Sequence, residues 1–148
     1  MITIRLSTVI QRSVADVYDF LGCYENDIHW RTGVVDMQQN TSGTARIGME
    51  TREVMTFMGS RTVTTANVIA AETNRRTAFR SVEGPVKAWG QRLFEKHPTG
   101  TRFTYELNLE PTGILALLSP IVGYLFRQQM TSDLSKLKLQ LETGQLIQ

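Results

Sequence analysis

Gly100-Thr101-Arg102-Phe103-Thr104-Tyr105-Glu106-Leu107-Asn108-Leu109-Glu110 holds the cleanest alternation in the chain. Phe103, Tyr105, Leu107 and Leu109 fall on one side of an extended backbone. Arg102, Thr104, Glu106, Asn108 and Glu110 fall on the other. A strand's side chains point to opposite faces in turn, so a slip of one residue would bury five polar groups. Residues 101–110 are therefore read as a strand with one buried face, and that face needs a cover. The chain supplies one directly downstream. Between Gly113 and Thr143, Met130, Leu134, Leu137 and Leu141 recur at spacings of 4, 3 and 4, and Gly144 stands where a C-cap glycine belongs. A helix over that range would be roughly 45 Å long at 1.5 Å per residue. Pro120 has no backbone donor and predicts a kink or break.

Upstream, residues 34–110 are rich in Thr, Val, Arg and aromatics and are punctuated at Ser42-Gly43, Met58-Gly59, Thr73-Asn74, Glu83-Gly84-Pro85 and Pro98-Thr99-Gly100. The runs between these breakers predict strands at 34–40, 45–57, 60–71, 75–82, 86–96 and 101–110, joined as an antiparallel meander. The N-terminal stretch from Ile2 to Val9 alternates in part and reads as a further strand. Ser13, with Asp16 three residues on, is an N-cap signal. Val14, Val17, Tyr18 and Leu21 then carry a short helix that stops at Gly22, and a second short helix or turn ends near Trp30. The predicted class is α+β: a curved antiparallel sheet of about seven strands wrapped on a long C-terminal helix, with two short helices between strands 1 and 2. Such a sheet leaves a gap beneath the helix, the natural cavity.

Composition narrows the function. At 148 residues a single domain over 1–148 is expected. The balance of 16 Lys+Arg against 14 Asp+Glu is too even for a nucleic-acid footprint. Lone Cys23 forms no internal disulfide, and His29 and His97 with no Cys pair write none of the usual zinc spacings. The opening MITIRLSTVI lacks a signal-peptide pattern. The longest uncharged apolar-rich stretch, Thr112 to Phe126, falls short of the roughly 20 residues of a membrane-spanning helix. A cytoplasmic location follows as the expectation.

Four segments in order resemble the helix-grip fold of the START-like (SRPBCC) superfamily, which includes the lipid-transfer START domains, the birch-pollen-allergen family and the bacterial polyketide cyclase/dehydrase-like proteins. They are Val9 to Leu21 (VIQRSVADVYDFL), Trp30 after the second short helix, Gly100 to Tyr105 (GTRFTY) and Asp133 to Lys138 (DLSKLK). The resemblance covers nearly the whole chain. It implies a deep apolar cavity between sheet and C-terminal helix that takes lipids, polyketides, isoprenoids or similar small molecules, with no metal and no standing cofactor.

Strand phase nominates the lining. With Glu50 and Arg52 outward, Ile47, Met49, Thr51, Glu53 and Met55 turn inward. Glu53 then reads either as a pocket acid or as the partner of an arginine such as Arg80 or Arg92. In 86–96, keeping Arg92 outside turns Trp89, Gln91 and Leu93 inward. Phe79 joins them from 75–82, Phe103 and Tyr105 from the last strand, and Gly123, Phe126 and Met130 from the helix. Tyr105 reads as a ligand-orienting hydroxyl, a general acid or a structural hydroxyl. Trp30 is expected to plug the junction of short helices and sheet, with His29 at the surface and Cys23 partly buried. Residues 40–102 hold 10 basic and 5 acidic side chains, which reads as a solvated outer sheet face or an attractor of acidic ligands. Ile114 to Phe126 is apolar nearly all round. It reads as a cavity rim, a homodimer contact, a transient membrane contact or a segment under a loop. Three functions fit: binding or transport of a small hydrophobic molecule, a polyketide cyclase/dehydratase-type enzyme moving protons with Glu53 and Tyr105, or a membrane or protein adaptor using Ile114 to Phe126 and the basic sheet.

Overall fold

The computed structural model describes residues 1–145. Ile2–Ile10 (β1) pairs antiparallel along its length with Gly100–Glu110 (β7). On the outer face, cross-strand partners bond through their side chains: Thr3 to Asn108 at 3.0 Å, Arg5 to Glu106 at 3.0 Å, and Ser7 with Thr104 at 2.8 Å. On the inner face Ile2, Ile4, Phe103, Tyr105 and Leu107 are buried, as the alternation requires. The remaining strands are Val34–Gln39 (β2), Glu50–Phe57 (β3), Ser60–Glu72 (β4), Arg76–Glu83 (β5) and Lys87–His97 (β6). They complete one antiparallel sheet in the order β1-β7-β6-β5-β4-β3-β2. Register shifts at Val34/Asp36, Thr65/Ala66 and Val68/Ala70 mark bulges on β2, β5 and β4 respectively, and bulges bend and twist a sheet. This is the helix-grip architecture.

The strand expected from residue 45 begins at Glu50. Gly48 has a left-handed φ of 87° and the Met49 N–H bonds back to Arg46 O, so the backbone turns there. Ile47, expected inward, is exposed as a result.

Val14–Leu21 (α1) is capped by Ser13, whose Oγ accepts from Asp16 N–H. A 3-10 turn, Tyr24–His29, follows, and Trp30 closes it fully buried against Phe103 and Tyr105. His29 is exposed and Cys23 partly buried.

The C-terminal helix is broken: Ile114–Leu117 (α2) precedes Ser119–Glu142 (α3). Pro120 lies in the first turn of α3, where its missing N–H has no intrahelical partner to lose. At 24 residues α3 spans roughly 36 Å, shorter than an unbroken helix would. It ends in a Schellman motif, with Gln145 N–H on Gln140 O, Gly144 N–H on Leu141 O, and Gly144 at φ 75°.

Val122, Met130, Leu134, Leu137 and Leu141 pack α3 on the β1 side of the sheet. A second buried cluster, built on Tyr24, Val34, Met37, Met49 and Val68, sits towards the β2 side. Asp133 pins the helix. The residue is 5% exposed, and its carboxylate accepts from Thr32 N–H at 3.1 Å, Thr32 Oγ1 at 2.7 Å and Gln129 Nε2 at 3.3 Å. Asp133→Ala strands these donors, and urea unfolding is expected to show a loss of about 1–3 kcal/mol. A loss under about 0.5 kcal/mol, the range of a neutral surface change, would show that the anchor is not needed.

Candidate functional site

The helix covers one half of the curled sheet, and a cavity of about 470 Å³ remains between them. That is within the range of sites for small organic molecules. Along β7 the inward side chains run Tyr105, Leu107, Leu109, and all three line the cavity. At about 3.3 Å per residue they span roughly 13 Å. The Tyr105 end is polar, and Arg31 and Tyr105 there also border a hollow between α3 and β3. The Leu109 end is apolar, and its rim residues Pro85 and Leu115, with Met58 from the β3–β4 turn, are themselves exposed. Met37, Met55, Phe57, Phe79, Val122 and Phe126 supply apolar wall; Thr51, Thr62 and Thr64 supply hydroxyls. Phe57 of β3 and Phe126 of α3 meet with ring centroids 4.3 Å apart, bridging sheet edge and helix. Gly90 faces inward opposite Phe79, and a Cβ there would lie 2.3 Å from Glu106 O and 3.1 Å from the Phe79 ring. Glycine is what lets the Phe79 ring lie against this wall.

The polar end is an ion network. Asp27, on the 3-10 turn, is fully buried; its Oδ2 accepts from Arg92 Nη2 at 2.6 Å and from Arg31 Nη1 at 3.0 Å. Arg31 Nη1 also lies 2.9 Å from Glu53 Oε1 on β3. That contact is close but misdirected, so Oε1 has an ionic neighbour and no hydrogen bond. Arg92 Nη1 bonds Leu21 O at 2.9 Å, and its guanidinium stacks over the rings of Tyr24, Trp30 and Tyr105. Tyr24 OH donates to Thr77 Oγ1. Asp27 Oδ1 and Arg92 Nε remain without a hydrogen-bond partner.

Burial alone would lower both arginines. The charge of Asp27 raises Arg92, and Glu53 does most to raise Arg31, so both stay cationic. Burial pushes the Tyr105 and Tyr24 hydroxyls up, opposed in part by the arginines. Burial also raises Tyr18 and the Cys23 thiol, leaving Cys23 a poor nucleophile.

Of the sequence candidates, Glu53, Tyr105, Thr51, Met55, Phe79 and Phe126 come together on this cavity. Glu53 pairs with Arg31 rather than Arg80 or Arg92. The phase expected for β6 is reversed. Ala88, Gly90, Arg92 and Phe94 face inward, because Asp27 and Leu21 O compensate the arginine. Trp89 and Gln91 are on the outer face, where Gln91 joins Arg76 and Glu106 and Trp89 lines a separate surface hollow. Met49 is packed in the second cluster, away from the cavity, and Phe103 is fully buried in the main core. Gly123 packs towards Ile2, and Met130 borders an adjoining hollow between α3 and β3. Within Ile114 to Phe126, Leu115, Val122 and Phe126 line the cavity; Ile114, Leu117, Ile121 and Tyr124 are exposed. Asp27, Arg31 and Arg92 went unseen as site residues, though the four-residue spacing of Asp27 and Arg31 was a readable sign of an ion pair. Among the described residues no cluster of metal-ligating side chains is present, and no helix is long and apolar enough to cross a membrane.

Residues 1–142 match the family described as polyketide cyclase / dehydrase and lipid transport. No curated protein matches the chain. Among solved structures, a protein from Thermus thermophilus is 23% identical with a TM-score of 0.81, over 96% of this chain and 98% of that one. A START superfamily protein from Mycobacterium smegmatis is 13% identical with a TM-score of 0.71, over 95% and 99%. Ginseng major latex-like protein 151 from Panax ginseng is 10% identical with a TM-score of 0.59, over 88% and 96%. These likenesses show the fold.

The network and the tyrosines around it each give an expected outcome. Asp27→Asn leaves Arg92 buried without its countercharge; chemical denaturation is expected to show a loss of about 3–5 kcal/mol, and a near-neutral result would mean the pair is dispensable. Tyr18, Tyr24 and Tyr105 have raised folded-state pKa values. Their contribution is full below about pH 10, the ordinary tyrosine value, and is lost as pH rises through the folded values. Absorbance titration at 295 nm should show these hydroxyls ionising late and together with alkaline unfolding. Ionisation of all tyrosines near pH 10 with the fold intact would contradict this.

Proposed function

Because this chain belongs to the polyketide cyclase / dehydrase and lipid transport family, we propose that it binds and carries a small hydrophobic molecule in the cavity between sheet and α3. The observation that carries this reading is the cavity itself: about 470 Å³, mostly apolar in lining, and open past exposed Met58, Pro85 and Leu115. Methionines and phenylalanines make an adaptable wall suited to apolar ligands. Lipid, polyketide and isoprenoid-like molecules are the classes proposed. The exposed apolar side chains of Ile114, Leu117, Ile121 and Tyr124, beside the rim, support loading by transient contact with a membrane or with a second copy of the chain. A cytoplasmic location is proposed with it, from the lone cysteine.

One observation favours a second reading, a cyclase or dehydratase. Glu53 and Tyr105 line the same cavity, near enough for the charge of Glu53 to act on the Tyr105 hydroxyl. Against it, Arg31 lies on one oxygen of Glu53, and neither histidine nor the cysteine lines the cavity. Binding therefore takes precedence over turnover.

Native mass spectrometry of freshly purified protein, followed by solvent extraction, is expected to return a reproducible apolar small molecule. Ala88→Phe, which fills the inward face of β6, is expected to abolish its retention with the circular dichroism spectrum unchanged. Retention undiminished in a folded Ala88→Phe variant would place the ligand elsewhere.

A further inference from the structure

The hollow between α3 and β3 has a volume of about 470 Å³. Its rim is polar and exposed, with Thr32, Thr56, Gln128 and Ser132 around it. Its floor includes Tyr105 and Leu107, which are 3% and 6% exposed and also belong to the wall of the main cavity. The hollow therefore reaches the cavity wall from outside. The fold explains why that wall is thin. The backbone of α3 packs mainly on β1. The β2 ladder begins at Val34 opposite Met55, so beyond that point β3 is itself the edge of the sheet. Side chains span the gap from there to the helix. Asp133 holds Thr32 at one end, and the Phe126 ring meets the Phe57 ring at the other. Phe126 and Asp133 lie roughly 10 Å apart along the helix axis at 1.5 Å per residue.

The two bridges are unlike. The Asp133 carboxylate is buried and accepts three hydrogen bonds, which fix it. Phe57 and Phe126 are half-buried and meet only by ring contact. Phe57 ends β3 beside the two-residue turn Met58-Gly59, whose φ angles are 52° and 80°. Hairpin tips belong to the mobile part of a fold. Met55, Met58 and Met130 around the rings are flexible side chains that adapt to a moved neighbour. Both rings line the cavity and the hollow alike, so the pair is the partition between them. Parting the rings breaks no hydrogen bond of the sheet.

We infer that the slot between α3 and β3 is a second mouth of the cavity and that the Phe57–Phe126 pair is its gate. This rests on the carrier reading and adds the route by which its ligand exchanges with water. The two mouths differ in chemistry. The mouth at Leu109 is rimmed by exposed apolar side chains and suits an apolar surface. The slot is rimmed by hydroxyls and amides and opens to water. Passage there needs the rings to swing apart while Asp133 keeps the helix seated.

Stopped-flow fluorescence of N-phenyl-1-naphthylamine with the full-length protein gives kon, koff and Kd. Phe57→Ala and Phe126→Ala are each expected to raise both rates at least about fivefold, through loss of the ring contact. A ring that only walls the cavity would change koff and leave kon unmoved. Ser132→Trp places a bulky ring on the outer rim, at an exposed position that lines the hollow and not the cavity. It is expected to lower both rates at least about fivefold with Kd unchanged. Leu115→Trp, at the apolar rim, is the comparison. Slowing by Leu115→Trp but not by Ser132→Trp places exchange at the apolar mouth and overturns the inference. Absence of slowing in Ser132→Trp overturns it even if the alanine variants do not fold, and so does an unmoved kon in a folded alanine variant. In each of these cases the carrier reading stands as long as the fluorophore binds. A folded wild type that does not bind the fluorophore overturns both.

Discussion

Asp27 and Arg92 meet at 2.6 Å in the middle of the molecule, and much of the architecture depends on that contact. Asp27 comes from the 3-10 turn after α1; Arg92 comes from β6, with its other amino group on Leu21 O at the end of α1. The pair therefore ties the short helices to the sheet. It also sets which face of β6 looks inward, because an uncompensated arginine could not stay there. Tyr24, Trp30 and Tyr105 pack around the guanidinium and take their positions from it. The polar end of the cavity is built by this one cluster.

The open end has a different cause. The sheet bends at the bulges of β2, β4 and β5, and α3, shortened by the break before Pro120, packs mainly on β1. Towards β3 the helix is met by side chains rather than backbone layers, with Phe57 on Phe126 as the clearest bridge. The core is accordingly divided into two buried clusters, with Phe79 touching both. Interiors normally close to near-crystalline density. Here the curvature of the sheet and the one-sided seat of the helix leave a space that the lining side chains are too small to fill, with Ala66, Ala88 and the threonines of β3 and β4 facing it.

The parts of this structure legible in sequence are those with a strong local period. The alternation from Phe103 to Leu109 set the phase of β7, the Met130–Leu141 stripe set the buried face of α3, and Ser13 set the start of α1. On β3 the polar residues Glu50 and Arg52 fixed the phase, and Thr51, Glu53 and Met55 came out on the cavity. β6 failed because the rule applied, arginine outward, is a statement about uncompensated charge. Compensation came from Asp27, 65 residues away, and no local pattern carries that information. Ile47 failed for a local reason: Gly48 turns the backbone before the strand begins. Met49 then faces the second cluster instead of the cavity. Phe103, Gly123 and Met130 were placed on the correct face, but at depths or heights that period alone does not specify.

The scarcity of histidine and cysteine is the background to the remaining oddity, four charged side chains within an otherwise apolar chamber. Stability does not explain them. A buried ion cluster of this kind gains little over apolar residues of equal volume, because desolvation consumes most of the Coulomb attraction. Nor does solubility, since the network faces no bulk solvent at Asp27 or Arg92. Packing alone would have been better served by leucine and phenylalanine, which the rest of the cavity uses freely. The cluster's place in the fold accounts for it instead: Asp27, Arg31, Glu53 and Arg92 come from the 3-10 turn, the segment after it, β3 and β6, and their contacts hold these parts together around the cavity. Because two cations face two anions, the chamber is polar at one end without a net charge there. A uniformly apolar cavity of the same volume would have no such difference between its two ends.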